Sequence, residues 1–121
     1  MCNREFTVSQ QILGYLITAK TTYLDDGIHV LLFGGCKSHV GAISYTNQHQ
    51  DVQTIQFIGH RDGAVSENWA VRLRKISKGT VVVCCGIHYD HVSQKEIEQI
   101  VDKTNELLKE VEEKIVMYKV I

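Results

Sequence analysis

From Ser93 onward the chain carries one long apolar stripe, and that stripe dictates what the rest must provide. Ile97, Ile100, Val101, Thr104, Leu107, Leu108, Val111 and Ile115 recur at steps of three and four, the spacing of one face of an α-helix. Glu and Lys fill the opposite face. Ser93-Gln94-Lys95-Glu96 is a capping box, in which the Ser and Glu side chains each satisfy a backbone N–H of the other residue. A long helix with one apolar face gains most of its stability from packing that face on something else. The preceding sequence must therefore supply an apolar surface.

That sequence reads as strands. Phe6 and Val8 alternate with polar neighbours, and Ile12 to Ala19 continues the run with Gly14 as a bulge. Asp25-Asp26-Gly27 is a turn. Ile28 to Phe33 is nearly all apolar, as a central strand is, until Gly34-Gly35 breaks it. His39 to Tyr45 alternates again, a polar loop follows from Thr46 to Asp51, and Val52, Ile55, Phe57 and Ile58 make a fourth strand. Short turns between these runs predict an antiparallel meander.

The period then changes. Asp62 or Ser66 can cap a helix, and Val65, Trp69, Leu73 and Ile76 share its apolar face before Lys78-Gly79 closes it. Thr80 to Cys85 is a β-branched, apolar run ended by Gly86 and reads as a buried strand. The predicted order is ββββαβα. This is an α+β fold, an antiparallel sheet of about five strands with two helices packed on one face. At 121 residues it makes a single domain, residues 1–121. The first four strands carry apolar residues on both faces, so the uncovered face calls for a partner, most simply a second copy in a homodimer.

Thirteen basic and fourteen acidic side chains leave a formal charge of -1. That balance excludes a general nucleic-acid binder, which needs a basic surface. No apolar run approaches the roughly 20 residues that span a bilayer, and Met1 to Gln11 has no apolar signal core. Cys2, Cys36, Cys84 and Cys85 form no C-x-x-C pair. The expected setting is reduced and cytoplasmic, with no membrane contact.

Three junctions combine glycine with ionisable residues: Gly34-Gly35-Cys36-Lys37-Ser38-His39-Val40-Gly41, Gly59-His60-Arg61-Asp62-Gly63 and Gly86-Ile87-His88-Tyr89-Asp90. The second and third are strand-to-helix turns, which places them at one end of the sheet. Helix N-termini and the Lys37 and Arg61 charges suit a phosphate. His39 and His88 add hydrogen-bond donors. The bland readings stand beside these. Glycine turns are usually only turns, and none here is a P-loop. Asp62 and Asp90 serve equally as caps or turn formers. His39, His60 and His88 would make a metal site only if all three turns met, and they lack local ligand spacing. Cys36 beside Lys37 is the best nucleophile candidate, yet no acid partner is legible. Trp69 lies on the helix stripe and is core first.

Lys37-Ser38-His39-Val40-Gly41-Ala42-Ile43, Gly59-His60-Arg61-Asp62 and the Gly86–Asp90 run before a capped helix resemble the LpdD-like family, from about Gly27 through the final helix. These are D subunits associated with gallate-type, UbiD-like decarboxylases, described as prenylated-flavin chaperones. The element order is also similar to that of small eukaryotic proteasome-assembly chaperones. The first resemblance implies an accessory subunit rather than an enzyme. It would bind prenylated FMN, or that flavin's phosphate end, and assist delivery to a UbiD-like decarboxylase. Mapped onto the motif positions, the residues for that role are Gly35, Lys37, Ser38, His39, His60, Arg61, His88 and Asp90. Two rival readings are an assembly module that uses its sheet face with no small molecule, and a small enzyme with His39 and His88 as acid and base.

Overall fold

The computed structural model describes residues 4–119 apart from Ile58 and His60. The chain runs β1 (Arg4–Ile12), β2 (Tyr15–Leu24), β3 (Gly27–Gly35), β4 (Ala42–Asn47), β5 (Gln50–Gln56), α1 (Gly63–Arg74), β6 (Thr80–His88) and α2 (Gln94–Lys119). The mixed α+β class holds, with six strands in one sheet. The additional strand comes from Gly14. Instead of bulging one strand, Leu13 and Gly14 take φ values of 50° and 84° and close a hairpin in which Ile12 faces Tyr15. Positive φ at both central residues matches the twist of a two-residue hairpin. Leucine seldom adopts that region, so Leu13-Gly14 carries no usual turn signature.

The strand order is β1-β2-β3-β6-β4-β5. The expected meander is interrupted: β6 inserts between β3 and β4, parallel to β3 and antiparallel to β4. A strand as apolar as Val81-Val82-Val83 belongs where both edges are paired, and the sheet centre is the place that provides this. Gly86 does not end β6, because pairing continues through Gly86 opposite Phe33 to His88 opposite Gly35.

Register puts Val8, Ile17, Ala19, Ile28, Val30, Leu32, Val81, Val83 and Cys85 on one buried face. Helix α2 crosses β1 and β2, and α1 crosses β6, β4 and β5. The two helices meet through Arg72, whose guanidinium donates to both carboxylate oxygens of Glu112 at 3.1 and 2.6 Å. Trp69, Leu73, Leu107, Leu108, Val111 and Ile115 seal this core. Helix α1 ends earlier than Lys78-Gly79. Residues 75–77 tighten into i→i+3 bonds to Arg72, Leu73 and Arg74, a frequent finish for a helix. Ser93 and Glu96 exchange the two capping-box bonds, at 2.9 and 3.1 Å.

The opposite sheet face carries no helix. Leu16, Tyr45, Ile55 and Phe57 stand exposed on it, beside the half-buried Leu31, Phe33 and Ile43. Among the described residues no helix is long and apolar enough to cross a membrane.

Candidate functional site

The site is assembled around one buried carboxylate. Asp62 occupies the N-cap position of α1, but its side chain makes no cap bond. The carboxylate turns toward the sheet instead. One oxygen accepts the backbone N–H of Ile87 at 2.9 Å and faces the Cys85 thiol at 3.7 Å. The other accepts His39 Nε2–H at 3.0 Å. Only 6% of Asp62 is exposed. A carboxylate buried this deeply is stable only when its oxygens are hydrogen-bonded, and here the donors come from two other junctions. Ser66 does not cap either: its hydroxyl donates to Gly63 O at 3.1 Å and pairs with Ser44 at 2.7 Å. The first free N–H of the helix, on Gly63, is taken by the Gln56 side chain at 2.9 Å.

Backbone bonds fix the rest. Cys36 N–H donates to His88 O at 2.7 Å, and Gly41 N–H to Cys85 O at 2.9 Å. The β3–β4 connection is thereby laid along the end of β6. His39 and His88 bring their rings to 6.2 Å, nearly perpendicular. His88 Nε2 lies 2.7 Å from Asp90 Oδ1. Tyr89 donates its hydroxyl to Ile12 O at 2.6 Å and meets Tyr15 edge-on at 5.9 Å, which ties the same corner to the β1–β2 hairpin.

A cavity of about 380 Å³ opens at this corner, lined by His39, Arg61, Asp62, Ile87, His88 and Tyr89. Val65, Val92, Ile97, Ile100 and Val101 complete the lining with aliphatic surface. The volume is within the range of about 300–1,000 Å³ typical of ligand pockets. Arg61 is exposed and makes no ion pair among the described residues. Its permanent charge and fork of donors suit an anion.

Of the sequence-derived residues, His39, Arg61 and His88 therefore share one cavity. Asp90 acts on it through His88, and Gly35 backs His88 across the sheet. Lys37 and Ser38 are exposed and do not line it. His60 is outside the described residues. No cluster of three metal-ligating side chains occurs among the described residues. The apolar wall was not foreseen as part of a site. Its signal was available, because the α2 stripe begins well before Thr104, the first residue of that stripe to be buried.

The cysteines divide by environment. Burial, then the adjoining Asp62 charge, pushes the Cys85 thiol far above its ordinary range; burial alone raises Cys84. Cys36 is exposed. Since the thiolate is the reactive form, iodoacetamide near pH 8 should modify Cys36 first, Cys84 slowly and Cys85 only in denaturant, as read by peptide mapping. Equal rates at Cys36 and Cys85 would refute that burial. The linkage follows the same sign. A folded-state value raised above the unfolded one leaves the stability contribution intact below about pH 8.5 and removes it at higher pH.

The family model described as "Prenylated flavin chaperone LpdD-like domain" matches residues 11–116. Protein LpdD of Lactiplantibacillus plantarum (strain ATCC BAA-793 / NCIMB 8826 / WCFS1) is 22% identical over 111 residues, covering 88% of this chain and 80% of that protein. A chain in the crystal structure of a novel chaperone complex for yeast 20S proteasome assembly superposes with a TM-score of 0.55 at 14% identity, over 90% of this chain and 97% of that one. That last likeness is one of fold.

Proposed function

Because this chain belongs to the LpdD-like family of prenylated flavin chaperones, we propose that its corner cavity holds prenylated FMN for transfer to a UbiD-like decarboxylase. The observation that carries this reading is the mixed lining of the cavity itself. Arg61, His39 and His88 bring polar groups to its lining, and five aliphatic side chains share that lining. A flavin bearing a phosphate and an isoprenoid group needs both. Arg61 would hold the anionic end, His88 would bond a polar atom, His39 would border the ligand from its place on Asp62, and the aliphatic side chains would exclude water from the reactive ring system. The flavin supplies the decarboxylation chemistry only once it reaches its enzyme; this chain binds, orients and shields. Lys37, Ser38 and His60 stay in the proposal only as neighbours in sequence of the lining residues His39 and Arg61. The bare sheet face, with Leu16, Tyr45, Ile55 and Phe57, would seat a second copy of the chain in the cytoplasm.

Titrating the purified protein into prenylated FMN, with flavin absorbance and fluorescence as readout, should give saturable binding and faster maturation of a decarboxylase apoenzyme. No spectral change and no effect on maturation would overturn the reading. Sedimentation of the same sample should give a dimer, and Ile55→Asp together with Phe57→Asp should give a monomer.

A further inference from the structure

We infer that the first turns of α2 are the specificity element of this cavity, with Ile97 and Val101 recognising the isoprenoid carbons that distinguish prenylated FMN from plain FMN. The inference rests on the flavin reading above and adds to it the residues that select the cargo. The α2 stripe has two parts with different surroundings. From Thr104 onward its inward members Leu107, Leu108, Val111 and Ile115 are wholly buried in the core. Ahead of Thr104 the same stripe continues as Ile97, Ile100 and Val101, yet Ile97 is 38% and Val101 40% exposed. What lies in front of them is the cavity. The core therefore does not require these two positions to be apolar. Aliphatic side chains left partly in water cost free energy until something apolar covers them.

The layout of the cavity says what that cover is. Its charged and hydrogen-bonding groups, His39, Arg61, Asp62 and His88, come from the strand-end junctions. Most of the remaining lining is aliphatic: Val65, Val92, Ile97, Ile100 and Val101. A single ligand with an anion at one end and a branched hydrocarbon group elsewhere satisfies both kinds of lining at once. Plain FMN has the same anionic end and ring system but lacks the isoprenoid carbons, so it covers less of the aliphatic wall. Discrimination by one hydrocarbon group in an apolar pocket is about tenfold or more, so the wall is adequate to sort one flavin from the other.

The test compares prenylated FMN and FMN on three proteins by flavin fluorescence: wild type, Ile97→Asn with Val101→Asn, and Arg61→Gln. Wild type should prefer prenylated FMN by roughly tenfold or more. The double variant should lose most of that preference, weakening prenylated FMN by a larger factor than FMN, and its melting temperature checks that it stays folded. Arg61→Gln should weaken both flavins alike. If the double variant does melt early, Val101→Thr, which keeps the side-chain shape and adds a hydroxyl, should lower the preference in a folded protein. A preference unchanged in these wall variants overturns the inference and leaves the flavin reading standing. The same holds if they lose only decarboxylase capture, which would make the wall a protein contact. Wild type that binds neither flavin overturns both.

Discussion

Alanine in place of Asp62 is expected to cost about 2–4 kcal/mol of stability and to abolish ligand binding at the corner cavity. The carboxylate is where three separate stretches of chain are joined: it sits at the start of α1, accepts from Ile87 on β6 and accepts from His39 on the β3–β4 connection. Alanine leaves the Ile87 N–H and the His39 ring without that acceptor at a part-buried position. Most of the penalty is the desolvation of donors left unpaired, not the loss of attraction alone. Asp62→Asn is the informative companion. Its amide oxygen can still accept from Ile87, so the fold should recover much of its stability while His39 remains poorly held. Urea denaturation of the three proteins measures the first effect and flavin titration the second. If Asp62→Ala unfolded at the wild-type urea concentration, the carboxylate would not be what fastens the junctions.

Gly86→Ala should be as damaging, for a steric reason. A methyl group at Gly86 would run into the carbonyl of His39, which crosses directly over β6. Backbone cannot swing aside as a long side chain can, so either β6 or the β3–β4 connection must move. Overpacking of this kind costs about 1–3 kcal/mol and sometimes more; the upper end is expected here because the atom met is backbone. The displacement would carry His39 away from Asp62. Denaturant melts together with amide spectra should show lower stability and shifts concentrated in residues 36–41 and 85–90. A variant with unaltered stability and spectra would mean that His39 does not lie on Gly86.

These two residues also show how far the sequence could be read. The glycine at position 86 reads in the sequence as punctuation, the end of a strand. Its actual use, letting one segment of backbone pass over another, depends on which segments meet. Asp62 was legible as an acidic residue before a helix, for which N-capping is the commonest use. That the carboxylate turns to β6 and His39 instead depends on β6 being the neighbour of β4, which no local pattern announces. Strand-to-helix turns place Arg61 and His88 at one end of the sheet; that His39 joins them in one cavity depends on where the β3–β4 connection runs, which the sequence leaves open. Sequence proximity groups Lys37 and Ser38 with them, but both side chains are exposed and outside the cavity lining.

Local chemistry determined the elements: the capping box and the three-four stripe make α2, alternation and β-branching make the strands, and the apolar run Val81–Cys85 called for an interior strand, of which Val81, Val83 and Cys85 are buried. These are properties of a few adjacent residues and their contact with water. The insertion of β6 between β3 and β4, the hairpin at Leu13-Gly14 and the aliphatic wall left uncovered by the sheet were decided only in three dimensions. Strand pairing and cavity formation depend on contacts between residues far apart in the chain, and their energies do not exist until those residues are brought together.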